Sequence, residues 1–278
     1  MIGNNLPSPR DVVRLYQSKG IRAMRIYFPH PDTLNALKGT GIDLMMDVPN
    51  DVIPSIANDA SAAARWVQNN ILAYDGVSFK YIVVGNEISG DAAKNILPAM
   101  SKIWDAICSA GRWNQIQVST AVSFSVVKNT YPPSKGEFGE SFMFPIVNFL
   151  EYTGNPLMLL MANITTDGQY HYQNLFDAMV DSVYSALEKV GSHHVRVIAT
   201  ETGHPGGGGV AATLVNAQTY NQNLINHVHK GTPKRPGEEL KTFIFAAFNE
   251  NQKQGDEVER HFGLFNPDLS PVYPLNFN

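Results

Sequence analysis

The sequence predicts an α/β fold: a parallel sheet with helices packed against it, in a single domain over residues 1–278. Three observations carry that prediction. Short apolar runs alternate with helix-patterned segments at the spacing a right-handed parallel crossover requires. The runs are continuously apolar, as in Tyr81-Ile-Val-Val84, so both faces of the sheet are expected to be covered. Several runs end in a carboxylate, and in a closed barrel of this class the carboxyl ends of the strands form the face where chemistry sits.

Each element follows from local signals. Ser8-Pro9-Arg10-Asp11 reads as a helix start, with a capping serine, proline at the first helical position and an acid in the first turn; Gly20 should stop the helix. Arg22–Phe28 is predicted as a strand, Pro31–Leu37 as a short helix and Asp43–Val48 as the next strand. A helix over Asp59–Tyr74 leads to the strand Phe79–Glu87. Asp91–Gly111 is helical, with Pro98 expected to split or delay its start, and Gln117–Val122 is a strand. The pattern continues with a helix at Ser141–Tyr152, a strand at Leu157–Ile164 and an amphipathic helix at Asn174–Val190. It closes with a strand at Val195–Thr202, a helix at Ala211–His229, a polar turn TPKRPGEE, and a long strand at Lys241–Glu250. A further short strand is expected at Phe262–Phe265.

Seven strands of this kind are predicted. A closed (β/α) barrel needs eight, and the one wanting would be the first. An open doubly wound sheet is the alternative, but its usual glycine-rich turn after the first strand is absent. The glycine run Gly206–Gly209 lacks the spacing of a dinucleotide fingerprint.

Composition narrows the function. Hydrophobic residues make up 44% and charged residues 17%, ordinary values for a globular chain. A net charge of -4 leaves no basic footprint for nucleic acid. No apolar run reaches membrane-spanning length. The one cysteine, Cys108, excludes a disulfide framework and a multi-cysteine metal site, and it reads as an inert packed thiol. His193 and His194 read as a solvated loop rather than as ligands. The opening MIGNNLPSPR carries no charged-then-apolar leader, so no signal peptide is expected in this chain.

The candidate chemistry lies at the strand ends. Glu87 closes VVGNE, Glu201 closes VIATE and Glu250 closes FAAFNE, with Lys253 three residues on; Asp47 closes DLMMD. Two carboxylates are the minimum for glycoside hydrolysis, one to protonate the leaving oxygen and one to act as nucleophile or base. A third carboxylate and a lysine could tune their pKa values apart. For any one strand-end glutamate, a rim salt bridge or helix cap is an equally good reading; the joint pattern favours chemistry for Glu87 and Glu201. Tyr27, Phe28, Phe248 and Phe262 are candidates to stack on sugar rings, although most aromatics in such a chain are core.

At these residues the chain resembles the plant endo-β-1,3-glucanases of glycoside hydrolase family 17, the cereal type especially. The segments that carry the likeness include IGNNLPSP (2–9), RIY (25–27), VGNE (84–87), NLFDAMVDSVYSALEKVG (174–191), ETGHP (201–205), FNENQK (248–253) and FGLFNPDLSPVY (262–273), spread over nearly the whole chain. The resemblance implies a (β/α)8 TIM barrel, here incomplete because the first strand is absent, and retaining endo-hydrolysis of β-1,3-glucan. It implies Glu87 as acid/base, Glu201 as nucleophile, and Glu250 and Lys253 as their supports. Substrate contacts are then expected at Tyr27, Asn86, Asn163, His204, Phe248 and Phe262. It implies no cofactor and no metal, a β-glucan polysaccharide as partner, no nucleic acid, no membrane, a monomer, and a secreted or vacuolar location.

Three departures from the family pattern bear on that reading. The strand that usually precedes IGNN is absent. ETGHP stands where the family has ESGWP, so His204 replaces a tryptophan and removes apolar contact. Ala162-Asn163-Ile164 passes almost directly to Thr165, so a long loop with cleft-lining tyrosines is also absent. A barrel without one strand leaves two edges with unpaired backbone groups. Two further readings follow: a catalytically impaired glycan-binding relative, and a truncated form that folds poorly.

Overall fold

Alternation along the strands decides which side chains enter the barrel and which face the helices. The structure, a computed structural model, describes residues 2–161 and 174–277. Seven strands form one parallel sheet: β1 (Ala23–Ile26), β2 (Asp43–Val48), β3 (Ser78–Asn86), β4 (Gln117–Ser123), β5 (Leu157–Leu160), β6 (Val197–Thr202) and β7 (Thr242–Ile244). They stand side by side in chain order, each parallel to the next. The two outer strands, β1 and β7, approach each other, so the sheet curls into a barrel that is nearly closed.

Odd and even positions of each strand serve different cores. Met45, Tyr81, Val83, Ala121, Met158, Leu160 and Ile198 point inward and fill the barrel, joined by Phe243. Their neighbours Leu44, Met46, Ile82, Val84, Val118 and Val122 point outward into the larger core beneath the helices. This double burial is why the runs are continuously apolar.

Eight α-helices cover the described barrel: α1 (Pro9–Ser18), α2 (Pro31–Leu37), α3 (Ile53–Asn58), α4 (Ala60–Val67), α5 (Ile96–Ser109), α6 (Met143–Thr153), α7 (Leu175–Lys189) and α8 (Leu214–His227). Their starts are set by side-chain caps. Ser8 accepts from the Asp11 N–H ahead of Pro9, Asp59 caps α4, Asn174 caps α7 and Thr213 caps α8. A left-handed Gly154 ends α6. Pro98 lies in the first turn of α5, which a 3-10 segment over Gly90–Asn95 precedes, so the proline delays the helix instead of splitting it. The polar turn forms a small hairpin, Gly231–Thr232 with Arg235–Pro236, which docks on α7 through Lys234 and Arg235, each 2.8 Å from Glu188.

Some elements differ from expectation. Helix α3 was not anticipated; Pro54 in its first turn was the available signal. The helix expected over 59–74 is α4 continued by a wider π turn at Gln68–Leu72. The long strand expected at 241–250 is only β7. Phe245 N–H still bonds the Thr202 carbonyl of β6 (2.8 Å), and beyond it the backbone bonds to the tail instead: Ala246 N–H to Phe262 O (3.0 Å), Leu264 N–H to Ala246 O (2.9 Å) and Phe265 N–H to Ala247 O (2.9 Å). The approach is close enough that a Cβ on Gly263 would collide with the Asn249 nitrogen. The predicted short strand at 262–265 is the partner in this contact, joined through a Phe248–Phe265 bridge. Strand β5 ends at Leu160, and residues 162–164 of the expected strand lie outside the described residues.

Candidate active site

The geometry of VVGNE starts at Gly85. Its φ of 94° is open to glycine and costly for other residues, and the pairing between β3 and β4 shifts register between Val83 and Asn86. That bulge turns the end of β3 toward the rim. Glu87 follows with φ 54°, a left-handed conformation uncommon outside glycine, while its N–H remains on the Ala121 carbonyl at 2.9 Å. The backbone of Asn86 is fixed from the other side by Asn50, which accepts from the Asn86 N–H (3.0 Å) and donates to the Asn86 carbonyl (2.9 Å).

Glu201 sits near the end of β6, opposite Leu160 of β5. The Tyr27 hydroxyl donates to its Oε2 at 2.7 Å, and Arg25 reaches the same oxygen at 3.5 Å. Arg25 is the hub of this side of the rim. Its guanidinium donates to both oxygens of Asp47 (3.2 and 2.7 Å), to Asn86 Oδ1 (2.7 Å) and to the Thr200 carbonyl (3.2 Å), and it stacks 4.4 Å from the Tyr27 ring centre. The side chains of Arg25 and Asp47 are 4% and 2% exposed. Charges this deep in a fold survive only when paired and hydrogen-bonded.

Desolvation and neighbouring charges shift several of these groups. Desolvation, and then the charge of Glu201, push the Glu87 carboxyl above the usual glutamate range, against a smaller opposing pull from Arg25. Burial likewise raises Asp47 despite the Arg25 charge beside it, and it raises the Tyr27 phenol. Burial alone would lower Arg25, but the charge and hydrogen bonds of Asp47 outweigh it and keep the guanidinium protonated. Two carboxylates thus share one field in unequal settings: Glu87 on an exposed rim turn, Glu201 tied by a phenol and a guanidinium.

Beside them, a cavity of about 530 Å³ opens at the carboxyl ends of β1–β3, lined by Tyr27, Phe28, Asp47, Asn50 and Asn86 among others. A second depression, about 370 Å³, lies at the amino ends around Asp43, Ser78 and Arg112, away from both carboxylates. Among the described residues no three His, Cys, Asp or Glu side chains gather as a metal site.

Other predicted site residues belong to the segments after β6 and β7 and to the tail. Glu250 is 6% exposed and accepts the Ile2 N–H at 2.6 Å. Lys253 pairs with Glu259 (2.9 Å) and stands 4.1 Å from the centre of the Phe245 ring. Phe262 meets Phe245 edge-on at 5.4 Å and is half-buried. His204 packs beside Tyr220 of α8 at 5.9 Å and contacts the Pro205 carbonyl at 3.0 Å. Phe248 requires correction as a sugar contact. It is 1% exposed and packed against Phe265, so neither ring face is open to a sugar. Asn163 lies outside the described residues. Arg25 and Asn50 were not anticipated, and Asp47 was noted only as a strand-end carboxylate. The signal for Arg25 was a charge inside an apolar run, two residues from Tyr27 and therefore on the same face of β1.

Comparison with known proteins agrees with this architecture. The chain is 51% identical over 300 residues to a glucan endo-1,3-beta-glucosidase, acidic isoform, of Zea mays, covering 99% of this chain and 89% of that one. It is 48% identical to glucan endo-1,3-beta-glucosidase GII of Hordeum vulgare, covering 100% of this chain and 90% of that one. The alignment with the maize protein runs to 300 residues against 278 here, so that relative carries residues with no counterpart in this chain. A solved structure, one of two plant β-glucan endohydrolases with distinct substrate specificities, superposes with a TM-score of 0.95 at 44% identity, covering 100% of this chain and 98% of that one. Residues 1–277 match the family described as glycosyl hydrolases family 17, and the chain belongs to that family.

Proposed function

We propose that this chain hydrolyses β-1,3-glucan internally and with retention at the anomeric carbon, using Glu87 as acid/base and Glu201 as nucleophile. The observation that carries the reading is the unequal carboxylate pair: Glu87 raised above the usual glutamate range, Glu201 anchored by Tyr27 and Arg25. The names of the relatives give the substrate class.

In the first step the protonated Glu87 donates to the glycosidic oxygen as its bond to the anomeric carbon breaks. The Glu201 carboxylate bonds that carbon, giving a glycosyl ester. In the second step the ionised Glu87 takes a proton from water, the water oxygen bonds the anomeric carbon, and Glu201 leaves as a carboxylate. Negative charge on Glu201 favours the protonated form of Glu87 before the first step. Its loss in the ester lets Glu87 ionise for the second. Retention requires the two carboxyl groups to lie about 5–5.5 Å apart. Asn86 and Tyr27 border the cavity and take the role of substrate contacts, a role also proposed for Phe262 and His204. Glu250 and Lys253 support the pair from the turn after β7. The chain acts as a single domain over residues 1–278 and as a monomer, outside the cytosol.

The test is release of reducing ends from laminarin by the purified protein, with Glu201→Ala expected to abolish it. Unchanged turnover in that variant would sink the assignment. The replacement His204 lies against Tyr220, and that favours a second reading in which the chain binds glucan without cleaving it. Calorimetric binding with no product from the unmutated protein would establish that reading instead.

A further inference from the structure

We infer that Asp47 is a positioning residue for this reaction, one that takes up the guanidinium of Arg25 and so keeps it from collapsing onto Glu201. The inference rests on the assignment of Glu201 as nucleophile.

Arg25 is planar and carries donors only. Asp47 holds it at two points, Nε to Oδ1 at 3.2 Å and the second terminal nitrogen to Oδ2 at 2.7 Å. A planar fork fixed at two points has its remaining donors fixed as well. One reaches Asn86 Oδ1 at 2.7 Å, and the other reaches the Thr200 carbonyl at 3.2 Å and Glu201 Oε2 at 3.5 Å. Two consequences follow. Arg25 can only donate, so Asn86 must present its oxygen inward, which turns its amide hydrogens away from Arg25 as donors for a sugar hydroxyl. Asp47 takes the short charged bonds and leaves Glu201 on the long one. Glu201 therefore keeps electron density for attack instead of being spent in a tight ion pair.

The groups around this contact come from the end of β1 and from two other strands. Tyr27 lies on the β1 side, Asn86 and Glu87 at the end of β3, and Thr200 and Glu201 on β6. Without the Asp47 charge, Arg25 acts on Glu87 through its charge alone, and its one remaining carboxylate contact among the described residues is Glu201. It should move toward it, turn the Asn86 amide loose and stabilise the ionised nucleophile.

The experiment compares wild type, Asp47→Asn and Asp47→Glu on laminarin, with active sites counted by covalent labelling of the nucleophile. Asp47→Asn is expected to lower kcat per labelled site about tenfold or more, with KM within about twofold. The acid limb of its pH–rate profile, which reports ionisation of the nucleophile, should move to lower pH. Asp47→Glu keeps the charge but displaces it, so its acid limb stays at the wild-type position while kcat falls. An Asp47→Asn protein with wild-type kcat per labelled site and an unmoved acid limb overturns the role, as does one that loses labelled sites alone. Should Asp47→Asn fail to fold, Asp47→Glu decides: unchanged kcat overturns the inference, and reduced kcat with an unmoved limb supports it. A wild type with no turnover overturns the glucanase reading together with this one. An active wild type with an unaffected Asp47→Asn removes only the positioning role.

Discussion

The two sides of the rim solve the same problem differently. On the side of β1, β2, β3 and β6, Arg25, Asp47, Tyr27, Asn86 and Glu201 form one network around an Arg25–Asp47 pair whose side chains are 4% and 2% exposed, with Glu201 at its more open edge. On the side after β7, charges pair locally: Lys253 with Glu259 at 2.9 Å and Arg260 with Glu257 at 2.6 Å. The Lys253–Glu259 partners are 23% and 39% exposed. A charge pair is felt strongly where water is excluded and weakly where it is not. The lesson is that contact with a carboxylate does not by itself measure influence on the reaction; burial of that contact does.

The largest test of this contrast is Glu87→Gln. On the proposed assignment, in which Glu87 is the proton donor, this should cut turnover by about 10²–10⁴-fold. The alkaline limb of the profile should disappear with it, because that limb reports ionisation of Glu87. The sign in the unmutated protein follows from the raised pKa: Glu87 stays protonated to a higher pH than an ordinary glutamate, so the limb lies above the ordinary glutamate range. A retained alkaline limb in the variant would assign it to another group.

Tyr27→Phe is the intermediate case. It deletes only the 2.7 Å hydrogen bond to Glu201, and a hydrogen bond to a charged group is worth about 1.5–3 kcal/mol. A loss of kcat of about ten- to a hundredfold is expected, measured on laminarin at the wild-type optimum. The smallest effect belongs to the other side. Lys253→Ala should change stability by about 1 kcal/mol or less in a denaturant titration, and should lower kcat less than Tyr27→Phe does. A larger loss of kcat at Lys253 than at Tyr27 would reverse the contrast between the two sides.

Much of this could be read from the chain, for reasons that can be named. The barrel strands are legible because burial on both faces leaves uninterrupted apolar runs, as at Tyr81–Val84. Glu87 and Glu201 are legible because each stands where such a run meets the rim. The 241–250 stretch was misjudged because apolarity does not reveal which backbone a segment will pair with. Residues 246 and 247 bond to 262–265, a partner 16 to 18 positions away that no local pattern announces. Phe248 was misplaced for the same reason, since the tail that covers it is remote in sequence. The Arg25–Asp47 clamp joins β1 to β2, and the guanidinium then reaches β6, more than 170 residues further on. Its two halves are visible in RAMRIYF and DLMMD, but only curling of the sheet brings Thr200 and Glu201 to the same guanidinium.

The left-handed backbone at Glu87 bears on how an inert form of this protein can be made. Most exchanges at that position keep the conformational strain and add a foreign side chain to the cleft. Glycine adopts a φ of 54° freely, so Glu87→Gly relieves the turn while deleting the carboxyl. The Ala121 bond to its N–H needs no side chain and can persist. On the proposed assignment that variant is the natural bait: a rim without its proton donor, on which an uncut oligosaccharide can rest long enough to be seen.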